Sequence, residues 1–219
     1  MIQQVKAFGK SIAVVIWFYS ISWMVSGVLQ ASGLLTNGWV KQHPYLINIL
    51  TYGFIFAGIV GIDAKRHEFG TFLRKCPLKD WMRFIGWGIG AYLLGSVISQ
   101  GLIQFFPEYE EIGQQFNSNE PILRFISMVI VAPIVEEYLF RWKVQDFLKE
   151  GFGVYIAIIG QALLFGGLHF YRLQKIYASI LGGIFGYVRE KKGIAATVSM
   201  HMTVNFLGWF IGCLLARLF

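Results

Sequence analysis

Charge is scarce in this sequence. Only 14% of its 219 residues are Asp, Glu, Lys or Arg, against about 25% in an ordinary soluble domain. Hydrophobic residues make up 56% of the chain, and the mean hydropathy is +0.57. This composition excludes an ordinary soluble domain and predicts an all-α, polytopic membrane protein. The net charge of +7 does not indicate a nucleic-acid partner, because the basic residues fall in short clusters between apolar runs.

Cysteine is also rare. Cys76 and Cys213 lie far apart and form neither a metal-binding nor a redox spacing, so we expect two free thiols. The sequence contains no internal repeat and no low-complexity tract. We therefore expect residues 1–219 to form a single integral membrane domain.

Long gaps between charged residues locate the membrane spans. No Asp, Glu, Lys or Arg occurs between positions 10 and 41, 41 and 63, 83 and 108, 150 and 172, or 192 and 217. Each gap can hold a helix of roughly 20 residues, the length that crosses a bilayer core. Two further segments, 121–149 and 176–189, are predicted helices. The sequence thus predicts a helical bundle of about seven transmembrane helices.

The distribution of Lys and Arg predicts the orientation. With the N-terminus in the cytoplasm, 14 of these residues lie inside and 5 outside, which is the bias typical of membrane proteins. The acidic segment 107–120 is then an external loop, and the C-terminus is outside. We expect an integral protein of a bacterial plasma membrane.

The segment VEEYLFR, residues 135–141, places three charges inside a predicted span. Each charge at mid-membrane costs roughly 2.5–3.5 kcal/mol on insertion scales, so such residues usually face the protein interior and have a function. Glu137 and Arg141 are four apart and can pair on one helical face, which could be a purely structural ion pair. Glu136 points about 100° away and has no evident partner nearby in the sequence.

Two later helices carry further polar side chains. FGGLH contains Phe165 and His169, and HMTVN contains His201 and Asn205, each pair four residues apart on one helical face. A single histidine in an apolar helix is often a hydrogen-bonded packing residue. Glu136 and His169, however, lie about 21 and 24 Å from the turn that joins their helices. We therefore expect these side chains and His201 to meet at a similar depth.

Together, EEYLFR, FGGLH and HMTVN resemble the motifs E-E-x-x-x-R, F-x-x-x-H and H-x-x-x-N of the CPBP intramembrane proteases. This family includes the type II CAAX prenyl endopeptidases and bacterial Abi proteins, some of which are linked to bacteriocin processing or immunity. The resemblance covers residues 121–210, the motif-bearing core, and leaves the first 120 residues without a motif. It implies that Glu136, His169, His201 and Asn205 line the catalytic site. Glu137, Arg141 and Phe165 belong to the same motifs as supporting residues.

These residue types suit hydrolysis of a peptide bond in a membrane-associated peptide or protein. A glutamate in a poorly solvated cavity can serve as a general base, and His169 can hold the same water and shuttle a proton. His201 and Asn205 can donate hydrogen bonds to the developing oxyanion. We therefore expect a metal-free hydrolase without a cofactor, which acts in contact with the lipid bilayer. The sequence does not predict an oligomeric state.

Two other interpretations remain open. Glu136, His169 and His201 could instead bind zinc as two histidines and one carboxylate with an open water position, although the sequence has no H-E-x-x-H. The chain could also be a non-catalytic membrane scaffold or immunity protein. A scaffold, however, has no need for several polar side chains within the membrane.

Overall fold

The computed structural model of the chain describes residues 1–34, 38–65, 78–106 and 120–215. Within these ranges the chain forms helices and no strand, so the predicted all-α fold is confirmed. Cys76 and residues 107–119 of the predicted acidic loop lie outside the described residues. The eight helices in the described ranges are α1 (Ile2–Ala31), α2 (Trp39–Gln42), α3 (Pro44–Lys65), α4 (Leu78–Leu102), α5 (121–152), α6 (Val154–Gly167), α7 (Arg172–Lys192) and α8 (Ile194–Leu215).

The helices have the composition of a membrane bundle. By length and composition, α1, α3, α4 and α8 could each cross a bilayer. Helix α6 is apolar but has only 14 residues, or about 21 Å, which is shorter than the roughly 30 Å hydrocarbon core. Large apolar side chains such as Trp23, Val97 and Tyr155 point away from the protein. Each of the seven predicted spans corresponds to a helix, and four of these helices meet the requirements for a full crossing.

Helix α5 is continuous but not uniform. Pro121 occupies its first turn, where a missing amide hydrogen costs nothing. Two π-helical segments, Ile126–Val131 and Glu137–Val144, interrupt the α-helical hydrogen bonding. Such segments often occur at functional sites because they change the direction of side chains within a helix. In α5 the second π segment contains the predicted ion pair.

Single glycines join α5 to α6 and α7 to α8. Gly153 has φ 81° and Gly193 has φ 83°, values that glycine adopts readily because it has no Cβ atom. These one-residue turns lie at the end of the bundle that carries Lys149 and Lys191. The last turns of α5 and α7 continue to these glycines, so both helices extend beyond the predicted ends at 149 and 189. Helix α7 also begins at Arg172, before its predicted start at 176.

Helices α6 and α7 pack closely through glycine. A Cβ atom on Gly182 would lie 3.2 Å from Cα of Ala162, and one on Gly186 would lie 2.5 Å from Nε2 of Gln161. The Gln161 side-chain amide donates to the Gly182 carbonyl oxygen at 2.8 Å. Close packing is therefore the role of these two glycines of LGGIFG, as predicted. It also fixes the two helices that flank His169.

Helices α1 and α3 cover α5 at the level of Glu136. Nε1 of Trp17 donates to the carbonyl oxygen of Ile55 at 3.2 Å, which ties α1 to α3. Phe18 and Tyr52 pack against the buried core that includes α5, and their rings make an edge-to-face contact with centroids 5.8 Å apart. Side chains from the first 120 residues therefore line the same interior region as the motif residues.

Candidate active site

Glu137 and Arg141 form an ion pair in the interior of the bundle. Their charged atoms are 3.1 Å apart, and both side chains have no exposed surface. The Arg141 guanidinium also lies over the rings of Phe165, at 4.2 Å, and Phe185, at 5.4 Å, so cation–π attraction offsets part of its lost hydration. The pair links α5 to α6 and α7.

His201 connects this pair to Glu136. Its Nδ1 lies 2.9 Å from Oε1 of Glu137, and its Nε2 lies 3.6 Å from Oε2 of Glu136. Because a carboxylate can only accept, Nδ1 carries the hydrogen that it donates to Glu137. This bond orients the ring so that Nε2 faces Glu136. The structure thus brings together Glu136, Glu137 and His201, with one nitrogen of the His201 ring facing each glutamate.

His169 lies in the turn after α6, not on the helix as predicted. Helix α6 ends at Gly167, and its hydrogen bonding continues only as a turn, in which the amide of His169 donates to Gly166. The ring Nδ1 donates to the Phe165 carbonyl oxygen at 3.1 Å. In the neutral ring this leaves the Nε2 lone pair available as an acceptor. Phe165 and His169 were predicted to share a helical face. In the structure they are joined by the hydrogen bond from the His169 ring to the Phe165 backbone carbonyl.

Glu136 and His169 line the same cavity. Its volume is about 70 Å³, and its walls also include Phe18, Tyr52 and Leu168. About 10–15 Å³ of space open to a water-sized sphere is enough to hold a water molecule, so the cavity has room for at least one water. A water here can contact the carboxylate and an imidazole nitrogen together, which is the environment that a hydrolytic water requires.

Phe165 is the packing centre of the site. Its ring makes edge-to-face contacts with His169, at a centroid distance of 5.0 Å, and with His201, at 5.8 Å. It also contacts Phe140 of α5, with centroids 5.3 Å apart. Only 3% of Phe165 is exposed. A single aromatic side chain therefore contacts both histidine rings and covers the Arg141 guanidinium.

Tyr52 is a site residue that the motifs did not reveal. Its hydroxyl donates to Oε1 of Glu136 at 2.7 Å, a short bond to a charged acceptor. Tyr52 belongs to α3, in the half of the chain without a recognised motif. The sequence offered one weak indication, a hydroxyl-bearing side chain within an apolar span, and that feature alone is too common to identify a site.

Asn205 lies one helical turn beyond His201 and does not reach the Glu136 cavity. Its Nδ2 donates to the carbonyl oxygen of Met128 at 2.8 Å, within the first π segment of α5. The side chain also lines a second, larger cavity. An amide nitrogen has two hydrogens, so one remains for a ligand in that cavity. The structure therefore places Asn205 beside the other predicted site residues and facing a different space.

The arrangement of donors bears on the zinc interpretation. Among the described residues, no three His, Cys, Asp or Glu side chains are grouped so that they could hold a metal ion. Glu136 already accepts a hydrogen bond from Tyr52. Cys213 is a free thiol that accepts a hydrogen bond from Arg124. Zinc binding by Glu136, His169 and His201 stays an alternative prediction to a water held between Glu136 and His169.

Comparisons with known proteins agree with the motifs. Residues 118–207 match a family model described as type II CAAX prenyl endopeptidase Rce1-like. The chain is also 26% identical over 134 residues to the UPF0177 protein YbdI of Lactococcus lactis subsp. lactis (strain IL1403), a match that covers 58% of this chain and 70% of that protein. No solved structure matches the chain. The predicted resemblance to the CPBP family is confirmed over the segment that contains all three motifs, and this family match supports a membrane-embedded peptidase.

Proposed function

We propose that the chain is an intramembrane endopeptidase in which Glu136 and His169 activate a water molecule. The observation that carries this proposal is the small cavity shared by these two side chains. The Tyr52 hydroxyl holds one oxygen of Glu136 at 2.7 Å, and the Phe165 carbonyl fixes the His169 ring at 3.1 Å. Both groups are therefore oriented before substrate arrives, which lowers the cost of reaching the transition state.

The reaction follows from these positions. A water between Glu136 and His169 attacks the carbonyl carbon of the peptide bond, and Glu136 accepts the proton that the water loses. The carbonyl oxygen becomes an oxyanion in the tetrahedral intermediate. When the C–N bond breaks, the proton passes from Glu136, directly or through His169, to the leaving nitrogen. Collapse of the intermediate gives a carboxylic acid and an amine, and transfer of the acid's proton to the amine gives a carboxylate and an ammonium group, so atoms and charge balance.

His201 and Asn205 are proposed to stabilise the oxyanion. Asn205 would donate the amide hydrogen that Met128 does not use. Nε2 of His201 can donate only when both ring nitrogens carry hydrogen, because Nδ1 already donates to Glu137. Removing one oxyanion donor from an enzyme typically costs about 2.7–4 kcal/mol of transition-state stabilisation. The proposed substrate is a membrane-associated peptide or protein, because the catalytic groups lie within the helical bundle.

The proposal predicts that substitution of either catalytic side chain abolishes cleavage. Peptide termini in membranes would be mapped by mass spectrometry from cells that produce wild type, Glu136→Ala, His169→Ala or Glu150→Ala. Glu150 provides a matched control because its side chain is 55% exposed and pairs with Lys10. We expect termini that appear with wild type and Glu150→Ala and disappear with the other two variants.

Protein amounts and thermal unfolding must be equal for this comparison. Wild-type cleavage by Glu136→Ala would disprove the proposed mechanism. A non-catalytic scaffold or immunity protein predicts a different pattern, in which the biological effect persists in both catalytic variants and no termini depend on Glu136.

A further inference from the structure

A second cavity, of about 360 Å³, lies beside the proposed catalytic residues. This volume is within the range of about 300–1,000 Å³ that is typical of ligand sites. The cavity lies at the end of the bundle where α4 ends and α5 and α7 begin, opposite the glycine turns after α5 and α7. On the predicted topology this is the external end. We call it the outer cavity; its hydroxyl- and amide-bearing walls include Tyr92, Ser96, Ser99, Gln174, Tyr177 and Asn205.

The wall formed by α8 continues directly from the catalytic residues. Asn205, Gly208 and Gly212 line the outer cavity, and their spacing from His201 places all four on one helical face. A Cβ atom added to Gly208 would meet nothing within 4 Å. The α8 wall therefore has no side chain at Gly208 and Gly212, so that a peptide backbone could lie close against it at these positions.

Two other helices present polar faces to the same space. Tyr92, Ser96 and Ser99 of α4 follow one another at helical spacing, and Gln174 and Tyr177 of α7 do the same. The opposite face of α4 is apolar and exposed, as at Val97, which is 69% exposed. Polar groups in a membrane bundle are retained where they line a water-filled cavity or contact a polar ligand.

We propose that the outer cavity binds the peptide segment next to the bond that is cleaved, and that substrate enters from the external end of the bundle. This inference rests on the proposed endopeptidase function. The Glu136 cavity, at about 70 Å³, has room for water but is too small for a peptide. His201 lies 3.6 Å from Glu136, and Asn205, one turn further, already lines the outer cavity. The cleaved bond would therefore lie at the boundary between the two cavities.

The length of the α8 wall fits an extended chain. Asn205 and Gly212 are separated by about 10 Å along the helix axis. An extended peptide advances about 3.3 Å per residue, so the wall has room for about three residues. Hydroxyl and amide side chains on α4 and α7 can satisfy the hydrogen-bonding groups of such a backbone, which would otherwise be costly to bury.

Thiol labelling tests whether the outer cavity is open to external water. We expect Ser99→Cys to react in intact cells with the membrane-impermeant cation MTSET, with the parent chain as the blank for its native thiols. Val97→Cys, on the lipid-facing side of the same helix, is the matched control and should remain unreactive. Equal, background-level labelling of the two variants would overturn the proposal.

Filling the cavity tests whether substrate occupies it. Gly208→Leu adds a side chain to the outer cavity, whereas Gly90→Leu adds the same side chain to an exposed position of α4 where a Cβ also meets nothing within 4 Å. We expect Gly208→Leu to reduce the Glu136-dependent termini on the order of 10²-fold, as misplacement of reacting groups does. Gly90→Leu should cleave like wild type.

Labelling of Ser99→Cys provides a second way to fill the cavity in protein that is already folded. Compared with the same variant before labelling, we expect MTSET to lower cleavage by Ser99→Cys and a reducing agent to return it to the unlabelled level, with the parent chain treated alike as the control. Wild-type cleavage by Gly208→Leu, or cleavage by Ser99→Cys that labelling does not change, would overturn the proposal and leave the endopeptidase function intact. If the proposed endopeptidase function is wrong, the result differs: no peptide terminus depends on Glu136 in any variant.

Discussion

The carboxylate of Glu136 is held by side chains from two distant parts of the chain. Tyr52 donates to one oxygen at 2.7 Å, and His201 approaches the other with Nε2 at 3.6 Å. Without these partners, the carboxylate could rotate among several positions in the cavity. The two contacts restrict the carboxylate at the cavity that it shares with His169, so the efficiency of water activation should depend on the Tyr52 hydroxyl.

Tyr52→Phe should therefore lower kcat with little change in KM. A hydrogen bond to a charged group contributes about 1.5–3 kcal/mol, which corresponds to a decrease of about 10- to 160-fold. The ring should stay in place because it packs against Phe18, with centroids 5.8 Å apart. Tyr155→Phe, at a side chain that is 77% exposed, is the matched control. Both variants would be assayed on a peptide identified by terminus mapping, and an unchanged kcat for Tyr52→Phe would contradict this role.

At the residue scale, the sequence predicted some partners better than others. The four-residue spacing of Glu137 and Arg141 was enough to predict their ion pair, because neighbours on one helical face depend only on helix geometry. The contact between Tyr52 and Glu136 joins residues 84 positions apart, and no local pattern encodes it. It depends on how α3 packs against α5, which is a tertiary property.

The two π-helical segments of α5 contain residues through which α5 makes contacts at the site. The segment Ile126–Val131 contains Met128, whose carbonyl oxygen accepts from Asn205 of α8 at 2.8 Å. Where α-helical hydrogen bonding is interrupted, carbonyl groups become available to other partners. The first π segment thus anchors α8 to α5, and the second begins at Glu137, where the ion pair forms.

Asn205→Ala should separate two roles for this side chain. As an oxyanion donor, Asn205 should contribute to turnover more than to binding, so its loss should reduce kcat by about 10²–10³. Thr203→Ala, on the α8 face that contacts Gly88 of α4, is a control for loss of a polar group from the same helix. Steady-state kinetics and thermal unfolding would be measured together. A lower Tm with unchanged kcat would show that Asn205 serves only to bind the Met128 carbonyl.

At the element scale, charge gaps predicted the existence of the helices but not their details. Lipid-facing helices exclude charge, so their approximate positions could be predicted from the sequence. The end of α6 at Gly167 was not predicted, since no proline or charge follows it immediately. The π segments were not predicted either, because they depend on hydrogen bonds from other helices, such as the one that Asn205 donates to the Met128 carbonyl oxygen.

The whole molecule consists of a motif-bearing half and a half without recognised motifs, and both contribute to the site. The motif-bearing half supplies Glu136 and His169, whereas α1 and α3 supply Phe18 and Tyr52 to the same cavity. The family match at residues 118–207 therefore omits part of the wall around the proposed catalytic water. Orientation in the membrane still depends on the distribution of Lys and Arg, and external labelling of the outer cavity provides its test.

Metal analysis of the purified, active protein tests the central claim of glutamate-dependent hydrolysis without a metal. Detergent-purified wild type would be assayed for zinc content and for cleavage of the mapped peptide, before and after prolonged chelation. We predict no stoichiometric zinc and unchanged cleavage after chelation, because a water between Glu136 and His169 needs no metal for activation. About one zinc ion per chain, with cleavage lost on chelation and restored by added zinc, would contradict the claim and assign Glu136, His169 and His201 as metal ligands.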